Sequence, residues 1–333
     1  MSARPRLSVV MPVHNGETYL HDAIRSILGQ TFADFEVIVV DDQSTDGSLE
    51  ILRDYEAQDS RVRVVELDDH VGVASALNAG VARAAAPLLA RMDADDVARP
   101  ERFAVQVAEM DGDPSLGLIG GQIRVIGRAG EPAAKFGWGL PLTNDETVWR
   151  LLVVCPICHP TVVMRTDVVR DLGGYDTRFA NEDMELWTRM AFVTRMRNLE
   201  AVVLDYRMPA AVHAVKIAAW QPHITSVSQR YLERIVGVTV AEPAVRALRG
   251  IETGVEPDDA FAALEAFAAA TLLVHAFDRM GALGMFAGDG LQRVSELLLS
   301  DVQELAVGGH IRIGGRVSRW SMASDEGEGR SGW

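Results

Sequence analysis

Four short apolar runs near the N-terminus constrain the fold more than any other feature: Leu7 to Met11, Phe35 to Val40, Val62 to Leu67 and Leu88 to Met92. Each has the length and composition of a buried strand, and the segments between them carry apolar residues at helical spacing. From Glu17 to Leu28 that spacing puts Leu20, Ala23, Ile24, Ile27 and Leu28 on one face. A second helix is expected from near Ser48, after the turn and cap residues Gln43-Ser-Thr-Asp-Gly-Ser48, and a third over Val73 to Ala85. Strands that alternate with helices need right-handed crossovers, and so form a largely parallel sheet. The expectation is an α/β chain with helices flanking the sheet and ligands beyond the carboxyl ends of its strands.

Those carboxyl ends are unusually polar. The fourth run stops in Met92-Asp-Ala-Asp-Asp96, and core packing gives no reason for three carboxylates there. Asp93, Asp95 and Asp96 repel one another unless a cation neutralises them, and hard divalent metals that also hold phosphates take such ligands. The plain reading is a Mg²⁺ or Mn²⁺ site serving a diphosphate. The competing one is a solvated acidic turn, since Asp is a common turn residue. The second run ends in Asp41-Asp42 and the first in Pro12-Val-His-Asn-Gly-Glu17, on the same edge. That first loop lacks the G-x-G-x-x-G of a dinucleotide fold, and no Walker lysine motif occurs. A bound nucleotide would therefore be held by carboxylates and metal rather than by a glycine cradle.

With 333 residues, 48% of them hydrophobic, the chain can bury one large or two modest cores and is expected to be a soluble globular protein. Its net charge of −15 argues against a nucleic-acid partner, which would call for a basic face. The opening Met1-Ser-Ala-Arg-Pro-Arg6 leads into a run too brief for a signal peptide. Ala266 to Phe277 is the most apolar later stretch, well short of the ~20 residues that span a bilayer. The expectation is a cytoplasmic protein with no transmembrane segment, leaving room for peripheral association at the inner membrane face.

Val9-Val-Met-Pro-Val-His-Asn-Gly-Glu17, Val39-Val-Asp-Asp-Gln-Ser-Thr-Asp-Gly-Ser48 and Met92-Asp-Ala-Asp-Asp96 together resemble the successive signatures of the family 2 inverting glycosyltransferases, which have the GT-A fold. The resemblance covers about residues 6 to 207. It implies a hexosyl-type transfer from a nucleotide-sugar donor, a UDP-sugar by preference, to a hydroxyl of a saccharide or lipid-linked acceptor. It further implies that Pro12, His14, Asn15 and Glu17 line the base and ribose, with Asp42 beside them, and that Asp41 accepts the base N–H. Asp93 and Asp95 would hold the ribose and the metal, with Asp96 as an alternative or additional ligand. Many relatives carry a basic residue in the stretch that is here Gly72-Val-Ala-Ser-Ala-Leu-Asn78, which has none. More of the charge neutralisation then falls to the metal, with Arg91 or another basic residue not placed by the sequence as a candidate helper. Other readings in view are a sugar nucleotidyltransferase, which would open on a Gly-rich, lysine-containing loop that is absent, and a non-catalytic nucleotide-sugar or glycan-binding protein.

Further along, a helix is expected after Pro100, a strand over Leu116 to Ile126 with a bulge or a close backbone approach at Gly120-Gly121, and a helix over Asn144 to Val154. Cys155-Pro-Ile-Cys-His159 matches a haem-attachment or redox pattern. Without an export signal or further cysteines, two buried thiols that behave as small apolar residues are the better reading. By the family resemblance His159 to Arg165 would be a strand lining the acceptor side. Gly173-Gly-Tyr-Asp-Thr-Arg-Phe-Ala-Asn-Glu-Asp-Met-Glu-Leu-Trp187 resembles the family's acceptor-side motif, which implies that Asp183, ahead of Glu182, is the catalytic base. Read on its own, the pair could simply cap the helix that follows. The chain divides into a catalytic domain over 1–207, a helical accessory region over 208–307 and a disordered tail over 308–333.

Overall fold

The structure, a computed structural model, describes residues 4–133, 139–152, 154–208, 210–242, 245, 276 and 279–285. The helices expected beyond residue 242 and the tail expected over 308–333 fall outside the described residues, apart from 245, 276 and 279–285. In chain order the strands are β1 (Leu7–Val13), β2 (Phe35–Asp41), β3 (Val62–Glu66), β4 (Leu88–Arg91), β5 (Val97–Ala98), β6 (Leu116–Ile126), β7 (Val163–Arg165) and β8 (Arg195–Arg207). The helices are α1 (Glu17–Leu28), α2 (Ser48–Gln58), α3 (Val73–Arg83), α4 (Arg102–Gly112), α5 (Asn144–Arg150), α6 (Thr166–Asp171), α7 (Glu182–Met190) and α8 (Ala210–Val236).

The eight strands among the described residues form one sheet in the order β3-β2-β1-β4-β7-β6-β8-β5. The β3-β2-β1-β4 half is parallel throughout, as the strand and helix alternation demands. Then β7 runs antiparallel to both β4 and β6, while β6 and β8 pair in parallel. The expected mostly parallel sheet with flanking helices is the one observed.

Strand side chains alternate between two buried layers, as the pleat requires. Val10, Ile38, Val40 and Leu89 face one layer with Leu77 of α3, Trp187 of α7 and Tyr231 of α8. Val9, Met11, Val37, Val39 and Ala90 face the other with Ile24 of α1 and Phe103 of α4. Helix α3 lies tight on β1: a Cβ at Gly80 would sit 2.4 Å from Val10 Cγ1. The later half of α8 adds Val227, Leu232 and Ile235 to the first layer, and its Tyr231 hydroxyl donates to the Val148 carbonyl at 3.0 Å. That part of the region after residue 207 is packed onto the sheet's own core.

Three local expectations need amendment. His159–Thr161 is a 3-10 turn and only Val163–Arg165 is strand, because Pro160 lacks the N–H a ladder needs. Helix α5 stops at Arg150 instead of reaching Val154. The 13-residue β8 was not anticipated from the sequence. The expected irregularity in β6 is present, with register shifts from Gly121 to Ile123.

Candidate active site

Strands β1, β2 and β4 end side by side, so their loops share one edge of the sheet. Pro12 is in register with Val40 of β2, but pairing of β1 with β4 stops at Val10, so the N–H that Pro12 lacks falls on the side where β4 has ended. The loops after β1 and β2 are tied to each other. Asn15, at φ 54°, accepts the Thr45 N–H on Oδ1 at 2.8 Å, and its own N–H donates to Ser44 Oγ at 3.0 Å. Gly16 N–H donates to Ser48 Oγ at 2.8 Å, and Glu17 accepts the Gly47 N–H at 3.0 Å. With Oδ1 of Asn15 engaged, its amide nitrogen faces His14 Nε2 at 3.2 Å. His14 therefore carries its proton on Nδ1 and donates to the Asp42 carbonyl at 2.7 Å. Its ring stacks at 4.0 Å on that of His70.

The two aspartates at the end of β2 differ in their surroundings, though both are buried. Asp42 is filled: its oxygens accept the N–H groups of Val71 (2.8 Å) and Gly72 (2.9 Å), and His70 Nδ1 stands 3.0 Å away. It fixes the loop that starts α3. Asp41 accepts the Ser44 N–H on Oδ2 at 3.1 Å, whereas its buried Oδ1 has no hydrogen-bond partner.

Beyond β4, one ligand oxygen from each of Asp93, Asp95 and Asp96 falls within 4.8 Å of the others, with Asp95 exposed, Asp93 half-buried and Asp96 fully buried. Asp96 Oδ1 accepts the Arg207 N–H at 2.7 Å, and Oδ2 is buried without a partner. Burial, then the charges of Asp93 and Asp95, pushes the Asp96 carboxyl well above its usual range. An orphaned carboxylate oxygen beside two further carboxylates suits a hard divalent cation, so the residues present fit Mg²⁺ or Mn²⁺. Arg91 is buried and pairs with Asp93 through Nη1 at 2.5 Å, while its Nε has no partner. Burial opposes its charge, yet the Asp93 carboxylate outweighs that and raises its pKa.

On the other side of Arg91, Glu182 and Asp183 open α7, whose Trp187 is fully buried beneath them. Glu182 is turned inward beside His159, with Oε1 3.6 Å from Nδ1. Burial, and then Asp183, pushes its carboxyl up to about 8. His159 is held neutral by burial and by Arg91, and its Nε2 meets the Tyr175 hydroxyl at 3.0 Å. Asp183 is half-buried and lies 3.7 Å from Cys155 Sγ; burial raises its pKa, against the Met184 N–H it accepts and the nearby Arg91. Both cysteines are free and half-buried. They face the acidic groups rather than a purely apolar core: Cys158 feels Asp96, Asp93 and Asp183 together.

The structure thus gathers Asp41, Asp93, Asp95, Asp96, Glu182 and Asp183 around the ends of β2, β4 and α7. It gives Asp42 and Glu17 hydrogen bonds that hold neighbouring loops. Sequence reasoning passed over Asn78, Tyr175, His70 and Arg207. Tyr175 and Asn78 stand inside quoted stretches and Arg207 only marks the end of the family resemblance; side-chain geometry alone shows what they touch.

The model of the family described as Glycosyl transferase family 2 matches residues 8–173, from β1 through the acidic turn to the start of the Glu182-Asp183 segment. The O-antigen biosynthesis glycosyltransferase WbnJ of Escherichia coli is 34% identical over 211 residues, covering 61% of this chain and 79% of WbnJ. Among solved structures, S. aureus TarS 1-349 in complex with UDP-GlcNAc superposes with a TM-score of 0.58 at 18% identity, over 92% of this chain and 88% of that one. The mannosyltransferase PcManGT from Pyrobaculum calidifontis, in complex with GDP-Man and Mn²⁺, gives 0.53 at 20% identity, over 92% and 81%. These two likenesses bear on the fold, which is GT-A. The family match and the WbnJ identity bear on lineage, and by them the chain belongs to glycosyl transferase family 2.

Proposed function

We propose that this glycosyltransferase moves a sugar from a UDP-sugar to a hydroxyl of a saccharide or lipid-linked acceptor, with inversion and with a divalent cation at the acidic turn. One observation carries the reading: Asp41 Oδ1 and Asp96 Oδ2 are buried carboxylate oxygens without partners, one at the end of β2 and one in the turn after β4, the two parallel strands that flank β1. Leaving such groups unmatched is unfavourable, so each favours a ligand that supplies what it lacks. Asp41 calls for an N–H, which the Watson–Crick edge of uracil offers. Asp96, with Asp93 and Asp95, calls for a cation. Relatives bound to UDP-GlcNAc and to GDP-Man with Mn²⁺ are compatible with this assignment.

In this reading His14 and Asn15, beside Pro12 and Glu17, border the base and ribose. Asp93, Asp95 and Asp96 hold Mg²⁺ or Mn²⁺, which when bound neutralises charge on the diphosphate leaving group. Asp183 takes the proton from the acceptor hydroxyl as that oxygen attacks the anomeric carbon and the bond to the diphosphate breaks. Asp183 is preferred to Glu182 because it is the more accessible of the two, and Glu182 packs against His159. Arg91 offsets the negative charge of both carboxylate groups, which suits a site without a basic residue at the start of α3. The helical region after residue 207 is assigned to acceptor choice or self-association rather than to donor chemistry.

Calorimetry of UDP with Mn²⁺ and with excess EDTA tests the donor half. Equal affinity under both conditions would overturn the metal assignment. Proton NMR of the product tests inversion: an anomeric configuration retained from the donor would overturn the single displacement.

A further inference from the structure

Arg207, the last residue of β8, is 5% exposed. Its main-chain N–H donates to Asp96 Oδ1 at 2.7 Å, and its Nε donates to the Asp95 carbonyl at 2.8 Å. Nη1 reaches the carbonyls of Gly127 (3.0 Å) and Arg128 (2.8 Å), in the segment after β6. The guanidinium lies 4.2 Å over the Tyr19 ring of α1, and Nη2 is 3.7 Å from the exposed Asp22 carboxylate. One buried side chain therefore joins α1, the acidic turn, β8 and the segment beyond β6.

Its contacts are those of a brace. The Nε and Nη1 hydrogen bonds go to main-chain carbonyls, which fix backbone positions, while Asp22 is loosely held and mostly in solvent. Arg207 N–H takes one oxygen of Asp96 and leaves the other, Oδ2, without a partner. Because Nε takes the Asp95 carbonyl, the peptide between Asp95 and Asp96 cannot rotate without breaking a buried, charge-assisted bond. Two of the three carboxylates thus have their backbone or side chain set by one residue.

We propose that Arg207 is a positioning residue for the acidic turn, holding Asp95 and Asp96 in the arrangement that accepts a divalent cation together with the donor diphosphate. The proposal rests on the metal reading given above. Lysine cannot replace it, since a single ammonium does not reproduce a planar fork that meets carbonyls from two segments while stacking on a ring.

The test is calorimetry of UDP, in Mn²⁺ and in excess EDTA, with the full chain and its Arg207→Lys variant, after a thermal melt shows that the variant is folded. Mn²⁺ is expected to strengthen UDP binding in the unaltered protein. In Arg207→Lys that strengthening should shrink by about tenfold to a hundredfold, as for other residues that orient metal ligands, with affinity in EDTA within about twofold of normal. A folded variant with full Mn²⁺ strengthening overturns the proposal, as does one whose affinity in EDTA falls equally. Absence of any Mn²⁺ effect in the unaltered protein overturns the metal reading itself, a distinguishable result. If Arg207→Lys does not fold, Tyr19→Leu removes only the ring under the guanidinium. A loss of about threefold in Mn²⁺ strengthening is then expected, and an unchanged value counts against the proposal.

Discussion

The side-chain amide of Asn78 grips the main chain of Tyr175 at both of its polar groups, donating to the carbonyl and accepting from the N–H, each at 2.8 Å. Asn78 belongs to α3 and Tyr175 to the segment leading to Glu182, so the clasp joins the β3-β2-β1-β4 half of the fold to the segment that carries Glu182 and Asp183. It also accounts for Gly174, at φ 74°, where a Cβ would lie 2.4 Å from Asn78 Oδ1. Asn78→Ala leaves both Tyr175 groups without their partner and should destabilise by about 1–3 kcal/mol in denaturant unfolding. Turnover should fall as Tyr175 and His159 loosen beside Glu182, with UDP affinity unchanged. A variant of normal stability would show that solvent replaces the clasp.

Asp183→Asn keeps the shape of the side chain and removes the carboxylate proposed as the base. Turnover should drop by about 10² to 10⁴, the usual range for general-base catalysis, while calorimetric UDP and Mn²⁺ affinities stay put. Asp95→Asn should reverse the pattern and weaken Mn²⁺-dependent UDP binding. Near-normal turnover in Asp183→Asn would move the base to Glu182.

Glu182 gives a pH dependence of stability with a definite sign. Its unfolded carboxyl titrates near 4.5 and its folded one near 8, so between those values only the folded chain holds the proton. The contribution is fully present below 4.5 and is lost as pH rises toward 8. Melting temperatures across that window should fall with pH, and Glu182→Gln should flatten the slope. An unaltered slope in the variant would mean that another group dominates it.

Asp41→Ala removes the carboxylate proposed for the base. A hydrogen bond to a charged group contributes about 1.5–3 kcal/mol, so UDP affinity should fall by about tenfold to a hundredfold. CDP, whose neutral base has no ring N–H on that edge, should bind the unaltered protein about as weakly as UDP binds the variant. Equal UDP and CDP affinities in the unaltered protein would remove Asp41 from base selection.

The first hundred residues were legible because local signals agreed there. Val9, Val37 and Ala90 lie in runs long enough only for strands, and Leu20, Ile24 and Ile27 keep helical spacing. The carboxylates at the strand ends stood out because Asp93, Asp95 and Asp96 have no place in a core. Strand β8 was harder to see, since Arg195, Arg197 and Glu200 interrupt its apolar pattern and its pairing with β6 is long-range. Arg207 and Asn78 were invisible as actors, because their importance lies in main-chain groups far along the chain. The family resemblance singled out Asp41 from Asp42, but the residues alone did not; in the structure the N–H groups of Val71 and Gly72 separate a filled carboxylate from an open one.

The ties between the loops after β1 and β2 bear on how donor preference changes over time. Asn15 holds Thr45, Ser48 holds Gly16, and Glu17 holds Gly47, so neither loop can take a new shape while the other keeps the old one. Under the proposed assignment of these loops to the base, a change of nucleobase is a paired event: substitutions at 14–17 and 44–48 should be individually harmful and jointly tolerated. The two loops behave as a single heritable cassette, and swapping both together, rather than one residue at a time, is the route by which this scaffold would acquire another donor.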